Sequence, residues 1–183
     1  IRVQETGYNV VLSHLSSTGA ADDGISVGYG AHDVTIQWCF LAGNTRSIFL
    51  KEKTTRNISI HHTWIQKQWI RGPIVSTAVN ADVRNLILED WTMWGSRFES
   101  DASGNMVNSI FSLSAYAKSK GGKIDSAFRV VTSGDVYASG NDYRGEAVES
   151  YTGNVSAPLA APAVSTQSVD DMEMVVRAKA GCM

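Results

Sequence analysis

Cysteine and proline are scarce in this chain: two cysteines and three prolines among 183 residues. Two thiols at opposite ends, Cys39 and Cys182, give neither a disulfide framework nor the paired spacing of a metal knuckle. One pairing is possible in an oxidising compartment. The apolar run WCFL around Cys39 and the penultimate position of Cys182 argue instead for a buried free thiol and a tail thiol. Long apolar runs are also missing; none approaches the roughly 20 residues of a membrane-spanning helix. No basic-then-apolar leader precedes the first residues, and a start on Ile1 suggests a chain processed or cut from a longer one. Charge of one sign is absent too. Sixteen Lys and Arg balance 18 Asp and Glu to a net −2 without clustering, so no footprint for nucleic acid or an anionic membrane is expected. A mass of 19.8 kDa suits one domain with a core large enough to fold unaided.

What is present is a repeat. Short apolar segments introduced by Asn or Asp recur as NVVLSHLS at Asn9, DVTIQWCFL at Asp33, NISIHHTWI at Asn57 and NLILEDWTM at Asn85, spaced by 24, 24 and 28 residues. A looser copy, MVNSIF, begins at Met106, and DVYASGNDY begins at Asp135. A second β-rich segment recurs as GISV at Gly24, SIFL at Ser47, PIVS at Pro73 and RFES at Arg97. Two short β-branched strands per unit at a near-constant period describe a solenoid: an all-β, right-handed parallel β-helix. A β-sandwich also has evenly spaced strands, but it does not make whole units resemble one another. The division expected is a β-helix over residues 1–155 and a C-terminal extension over residues 156–183 packing on it. The extension ends in a short helix, with Ser168 as N-cap, Asp170, Asp171 and Glu173 near its start, Arg177 and Lys179 near its end and Gly181 as the stop.

Stacking coils about 4.8 Å apart turns sequence spacing into columns of side chains. Asp22 and Asp23 precede Ile25, Arg46 precedes Ile48, and Arg71 precedes Pro73 at equivalent places. The expected surface is an acidic pair followed by two arginines. Guanidinium forks suit carboxylates, so an acidic polysaccharide is a natural partner, and Asp22 with Asp23 could hold calcium. The plainer alternative is a solvated coil edge with AADDG as turn chemistry. Lys51 and Lys53, on the strand after Arg46, extend the cationic strip or are ordinary surface charges. Trp64, Trp69, Trp91 and Trp94 gather near Arg71; Trp69, two residues before it, is the best platform for a sugar ring. His61 and His62 are expected to be scaffold, since neighbours on a strand face opposite ways and cannot share an ion.

The segment RNISIHHTWIQKQWIRGP resembles the pectate lyases of polysaccharide lyase family one, in which a His-His strand is followed by Arg-x-Pro at this spacing. NVVLSHLSSTGAADDGISV, DVTIQWCFL, VRNLILEDWTMWG, GDVYASGN and the tail APAVSTQSVDDMEMVVRAKAG are similar to further segments of that family, in the same order. The resemblance implies a secreted, monomeric lyase that cleaves polygalacturonate by β-elimination. It implies Arg71 as the base, with neighbouring cations and burial favouring its uncharged form, and Arg46 as the cation on the substrate carboxylate. Asp22 and Asp23 fall at a calcium-site position, and Lys51, Lys53, Trp69 and Ser76 fall along the substrate path. Ser76 stands where the family has another arginine, and Ser13 where it has an aspartate. The family's first calcium aspartates lie upstream of a strand like IRVQETGYNVV, so N-terminal coils are expected to be missing. Two other functions stay open: a non-catalytic module that binds acidic glycan, and, with Asp22 and Asp23 as paired carboxylates, an inverting glycoside hydrolase.

Overall fold

In the computed structural model, residues 1–77, 79–120, 127–147 and 153–182 are described. Each coil contributes three strands. The first holds β1 (Arg2–Gln4), β2 (Tyr8–Ser13) and β3 (Ser16–Thr18), and the second β4 (Asp23–Gly28), β5 (His32–Gln37) and β6 (Phe40–Ala42). Then come β7 (Arg46–Leu50), β8 (Arg56–His61) and β9 (Trp64–Gln66), followed by β10 (Ile74–Ser76), β11 (Val79–Arg84) and β12 (Ile87–Glu89). The last two coils are β13 (Ser96–Glu99), β14 (Gly104–Val107) and β15 (Ile110–Leu113), then α1 (Ala115–Ser119), then β16 (Phe128–Val131), β17 (Val136–Ser139) and β18 (Asp142–Gly145). Every third strand pairs in parallel, giving three sheets of six strands: β1-β4-β7-β10-β13-β16 (sheet A), β2-β5-β8-β11-β14-β17 (sheet B) and β3-β6-β9-β12-β15-β18 (sheet C). This is a parallel β-helix.

The repeat has three strands, not two. The third is mostly three residues long, as in Phe40–Ala42 or Trp64–Gln66, too short to show an alternation of its own in the sequence.

Inward rows make the core. Val3, Val27, Leu50, Val75, Phe98 and Val130 stack along sheet A, and Ile36, Ile60, Val83 and Met106 along sheet B. All ten are buried, and each aliphatic side chain so buried contributes about 1.5–3 kcal/mol.

The turns explain why Asn and Asp introduce the repeats. Asn9, Asp33, Asn57 and Asn80 each precede an inward residue of sheet B, and all have a left-handed backbone with φ between 54° and 64°. Asn and Asp tolerate that conformation better than other side chains. The fourth copy of the repeat therefore starts at Asn80, not Asn85. Asn85 belongs to a second left-handed row at the far end of sheet B, with His14, Trp38, His62 and Asn108 at φ 47–54°. Two asparagines five residues apart, each marking a turn of the same coil, produced the irregular spacing.

After the last coil the chain doubles back. Gly153 pairs with Tyr137, and the following segment runs over the solenoid toward its first coils. Leu159 exchanges two backbone bonds with the Asn105 amide (2.9 and 3.0 Å), and Gln167 does the same with Asn85 (2.8 and 3.0 Å). α2 (Val169–Lys179) starts on the Ser168 cap and lays Met172 and Val176 against Ile87 and Ile110. Gly181 N–H then donates to the Trp38 carbonyl at 2.7 Å and Cys182 N–H to Ser16 Oγ at 3.0 Å. Cys39 is buried and Cys182 exposed, both as free thiols.

Arg177 fixes the helix. Its guanidinium forks onto Glu89 of β12 at 2.7 and 3.0 Å, also reaches Glu173, and lies over the Trp64 ring. Substituting Arg177→Ala leaves Glu89 half-partnered and is expected to cost about 1–3 kcal/mol. Faster amide exchange in residues 169–179, with the β-helix amides unchanged, is the expected readout.

Candidate functional site

The sequence columns become neighbours on sheet A. Asp23 pairs in register with Arg46, and Arg46 in turn bridges to Ile70, the residue before Arg71. Arg71 also has a left-handed backbone (φ 68°) and is held to the coil below by donation from Ile48 N–H to its carbonyl at 2.8 Å.

The four charged side chains form two ion pairs. Arg71 Nη1 donates to Asp23 Oδ1 at 2.7 Å, reaching across the intervening coil, and both side chains are largely covered (18% and 8% exposed). Arg46 Nη1 donates to Asp22 Oδ1 at the more exposed rim, where Arg2 lies 3.7 Å from the other oxygen. The hydrogen bond from Arg46, with the fields of Arg46, Arg2 and Arg71, holds the Asp22 carboxyl below the usual range against a smaller opposing effect of desolvation.

Phe49 joins this cluster to the rest of the strip. The Arg71 guanidinium lies over its ring at 3.8 Å, and Lys51 Nζ approaches the same ring at 5.5 Å and Tyr29 at 4.7 Å. Lys51 directly follows β7, with its stem over Gly28, where a Cβ would come within 2.9 Å. Ser76 ends β10 in the next coil, one place beyond the Leu50–Val75 pair just as Lys51 is. Lys53 is not on the strand: it sits in the exposed turn closed by the Thr55 to Glu52 bond. Trp69 is 52% exposed in the turn leading to Arg71.

Other tryptophans have other duties. Trp91 is fully buried in the core, and Trp64 lies beneath α2, donating to Glu89 at 2.7 Å. Trp94 stacks on Arg97 at 4.9 Å. Arg97 is a cation the column of residues before each strand did not reveal. It lies in register with Ile74 and with the exposed Arg129, and it pairs with Glu99 at 3.0 Å, so the face carries one more ion pair and one exposed arginine over the last two coils. Aligning the second strands of each unit, GISV to RFES, would have found it.

Buried polar atoms without a hydrogen-bond partner gather here as well. Arg46 Nε, Ser47 Oγ and both amide atoms of Gln68 are among them. Leaving such atoms unpaired is costly.

As placed, the aspartates do not fit a calcium site. The ion takes about six to eight oxygens, while one oxygen of each carboxylate is held by an arginine. Among the described residues no three His, Cys, Asp or Glu side chains converge.

His61 and His62 differ from the sequence expectation. His62 follows β8 in a left-handed conformation (φ 50°), which breaks the strand alternation and turns both rings to one side. Their Nδ1 atoms meet at 2.9 Å, His62 Nε2 contacts Gln167 Oε1 at 2.6 Å, and His62 stacks on Trp38 at 4.3 Å. They flank a recess of about 340 Å³ beneath residues 163–167, away from Arg71. Burial, then the neighbouring His62, pushes His61 down to about 4, and burial lowers His62 too.

A parallel β-helix with a cationic strip on one sheet defines a class, and comparison with solved structures places the fold among the pectate lyases. A pectate lyase from Bacillus sp. N165 in complex with trigalacturonate superposes with a TM-score of 0.75 at 15% identity, covering 99% of this chain and 61% of its own. A second pectate lyase, described for its substrate specificity and anti β-elimination mechanism, gives 0.69 at 14% identity, with 99% and 52% covered. A pectate lyase bound to a hexasaccharide gives 0.64 at 14%, with 94% and 50% covered. The chain thus spans about half to three fifths of these proteins' length. No family model matches the sequence, and no curated protein does.

Proposed function

We propose that the sheet A face binds an acidic polysaccharide of the polygalacturonate type and cleaves it by β-elimination, with Arg71 as the base. The observation that carries this reading is the stack of Arg46 and Arg71 on one face, backed by Phe49 and continued by Lys51. In the free protein each arginine is paired with an aspartate. A uronate carboxylate offers the same two-oxygen partner, so binding exchanges one carboxylate for another rather than exposing a bare charge. Arg46, at the rim, takes the sugar carboxylate and stabilises the charge that develops on it when the α-carbon loses its proton. Arg71, freed from Asp23, first gives up one guanidinium proton to water and, as the neutral base, takes that C5 proton; the electron pair forms the C4–C5 double bond, the C4–O bond breaks, and the departing oxygen gains a proton from water.

Lys51 and Ser76 line the path beyond Phe49, Trp69 offers an exposed ring, and Lys53 lies farther out. Such a polymer substrate implies action outside the cell.

Incubation with polygalacturonate, with calcium and with chelator, tests the reading. A lyase generates an unsaturated end absorbing in the ultraviolet. Reducing ends without that absorbance would make the protein a hydrolase, and retention on the polymer with neither signal would make it a binding module. The ion-paired state of both arginines is what favours this last reading.

A further inference from the structure

Gln68 is the least expected side chain around Arg71. It is 1% exposed, and neither its amide nitrogen nor its amide oxygen has a hydrogen-bond partner among the described residues. Leaving such atoms buried and unpaired is unfavourable, and an apolar side chain of the same shape would avoid the cost. The amide lies directly under the turn that carries Arg71. A Cβ on Gly72 would come within 2.2 Å of Gln68 Nε2 and 2.7 Å of Leu88 Cδ1, so the turn rests on the amide, and a larger residue at 72 would have to displace both side chains. The turn itself is held from both sides: Ile48 N–H donates to the Arg71 carbonyl, and Gly72 N–H donates to the Gly95 carbonyl at 2.9 Å.

We propose that Gln68 is a positioning residue for Arg71. It props the Arg71–Gly72 turn in its left-handed conformation, and when the Arg71 side chain leaves Asp23 to engage the ligand, the amide hydrogen-bonds the shifted turn. A polar group unsatisfied in the free state and satisfied in the engaged state lowers the cost of opening the Arg71–Asp23 pair. Gln68 touches no reacting atom and acts through the backbone. Its catalytic consequence rests on the lyase reading; its structural consequence does not.

The test compares the wild type with Gln68→Met, which keeps length and removes polarity, and Gln68→Ala, which leaves space. The Arg71 Nε–H resonance, assigned by its loss in Arg71→Ala, is followed in ¹⁵N-labelled protein, alongside Tm and steady-state kinetics on polygalacturonate. Gln68→Met is expected to raise Tm or leave it unchanged, to shift the Arg71 resonance, and to lower kcat about tenfold with KM within twofold. Gln68→Ala is expected to broaden the resonance further and lower Tm. An Arg71 resonance unmoved in both variants would overturn the proposal, whatever the kinetics. If the wild type proves inactive, the lyase reading falls while the resonance still decides the role of Gln68. A shifted resonance with unchanged kcat in an active enzyme overturns the catalytic part.

Discussion

Arg71→Ala is expected to abolish the unsaturated product, with a fall in kcat of about a thousandfold or more, while the β-helix stays folded. General-base groups contribute about 10²–10⁴-fold, and the loss here includes the cation that lies over Phe49. The substitution also strands Asp23, whose side chain is only 8% exposed, without its partner. A double substitution, Asp23→Asn with Arg71→Ala, separates the two effects: it should recover any lost Tm and recover no activity. Ultraviolet absorbance of the product gives the rate, and thermal melting the control. Substantial activity in Arg71→Ala would remove this residue as the base. Arg46→Ala is expected to lower kcat as well as raise KM, but with little loss of stability, because its side chain is 40% exposed and its partner Asp22 remains hydrated.

The second large effect is on stability against pH. His61 and His62 are both buried, 9% and 3% exposed, and bonded to each other. In the unfolded chain a histidine takes up its proton near 6.5; in the folded protein His61 does so only at about 4. Between these values the unfolded state binds more protons, so stability is complete above about pH 6.5 and declines as pH falls toward 4. The span of His61 alone corresponds to about 3 kcal/mol, and His62, also lowered, acts in the same direction. Urea midpoints measured from pH 7.5 to 4.5 should fall steadily, and the fall should shrink in His61→Gln. A flat profile would mean that the rings accept protons without leaving their pocket. The cation Arg84 pairs in register with His61, and Asp82 lies close enough to favour its charged form. Asp82 is itself engaged by Arg84 at 2.7 Å, which limits what it can offer an imidazolium.

Much of this architecture was legible because a solenoid writes its period into the sequence. Asn9, Asp33 and Asn57 mark the same left-handed turn in successive coils, and their 24-residue spacing carried the β-helix directly. The Arg71, Arg46 and aspartate column was legible for the same reason. Apart from Arg97 and the short third strand of each coil, what escaped notice had no periodic signature. α1 is a five-residue helix on the Ser114 cap, shorter than any helical repeat. The ion pairing of Arg71 with Asp23 spans two coils and depends on side-chain reach, not on register. The meeting of the two histidine rings followed from a single backbone φ at His62 that breaks the strand alternation. Gln68 was invisible because its interest lies in contacts it does not make.

The returning C-terminal segment has a further consequence, for how the molecule comes apart. A bare solenoid can lose its end coils one at a time, because each touches only its neighbours. Here Leu159 holds Asn105 in the fifth coil and Gln167 holds Asn85 in the fourth, while Cys182 reaches Ser16 in the first, 166 residues away in sequence. Fraying of the first coil must also release the last residues of the chain. The number of coils is thereby matched to the length of the returning segment: a coil duplicated or deleted between Ser16 and Asn105 would shift these anchors by about 4.8 Å and throw them out of step. The segment thus ties together the coils between Ser16 and Asn105, which a bare stack would leave coupled only neighbour to neighbour.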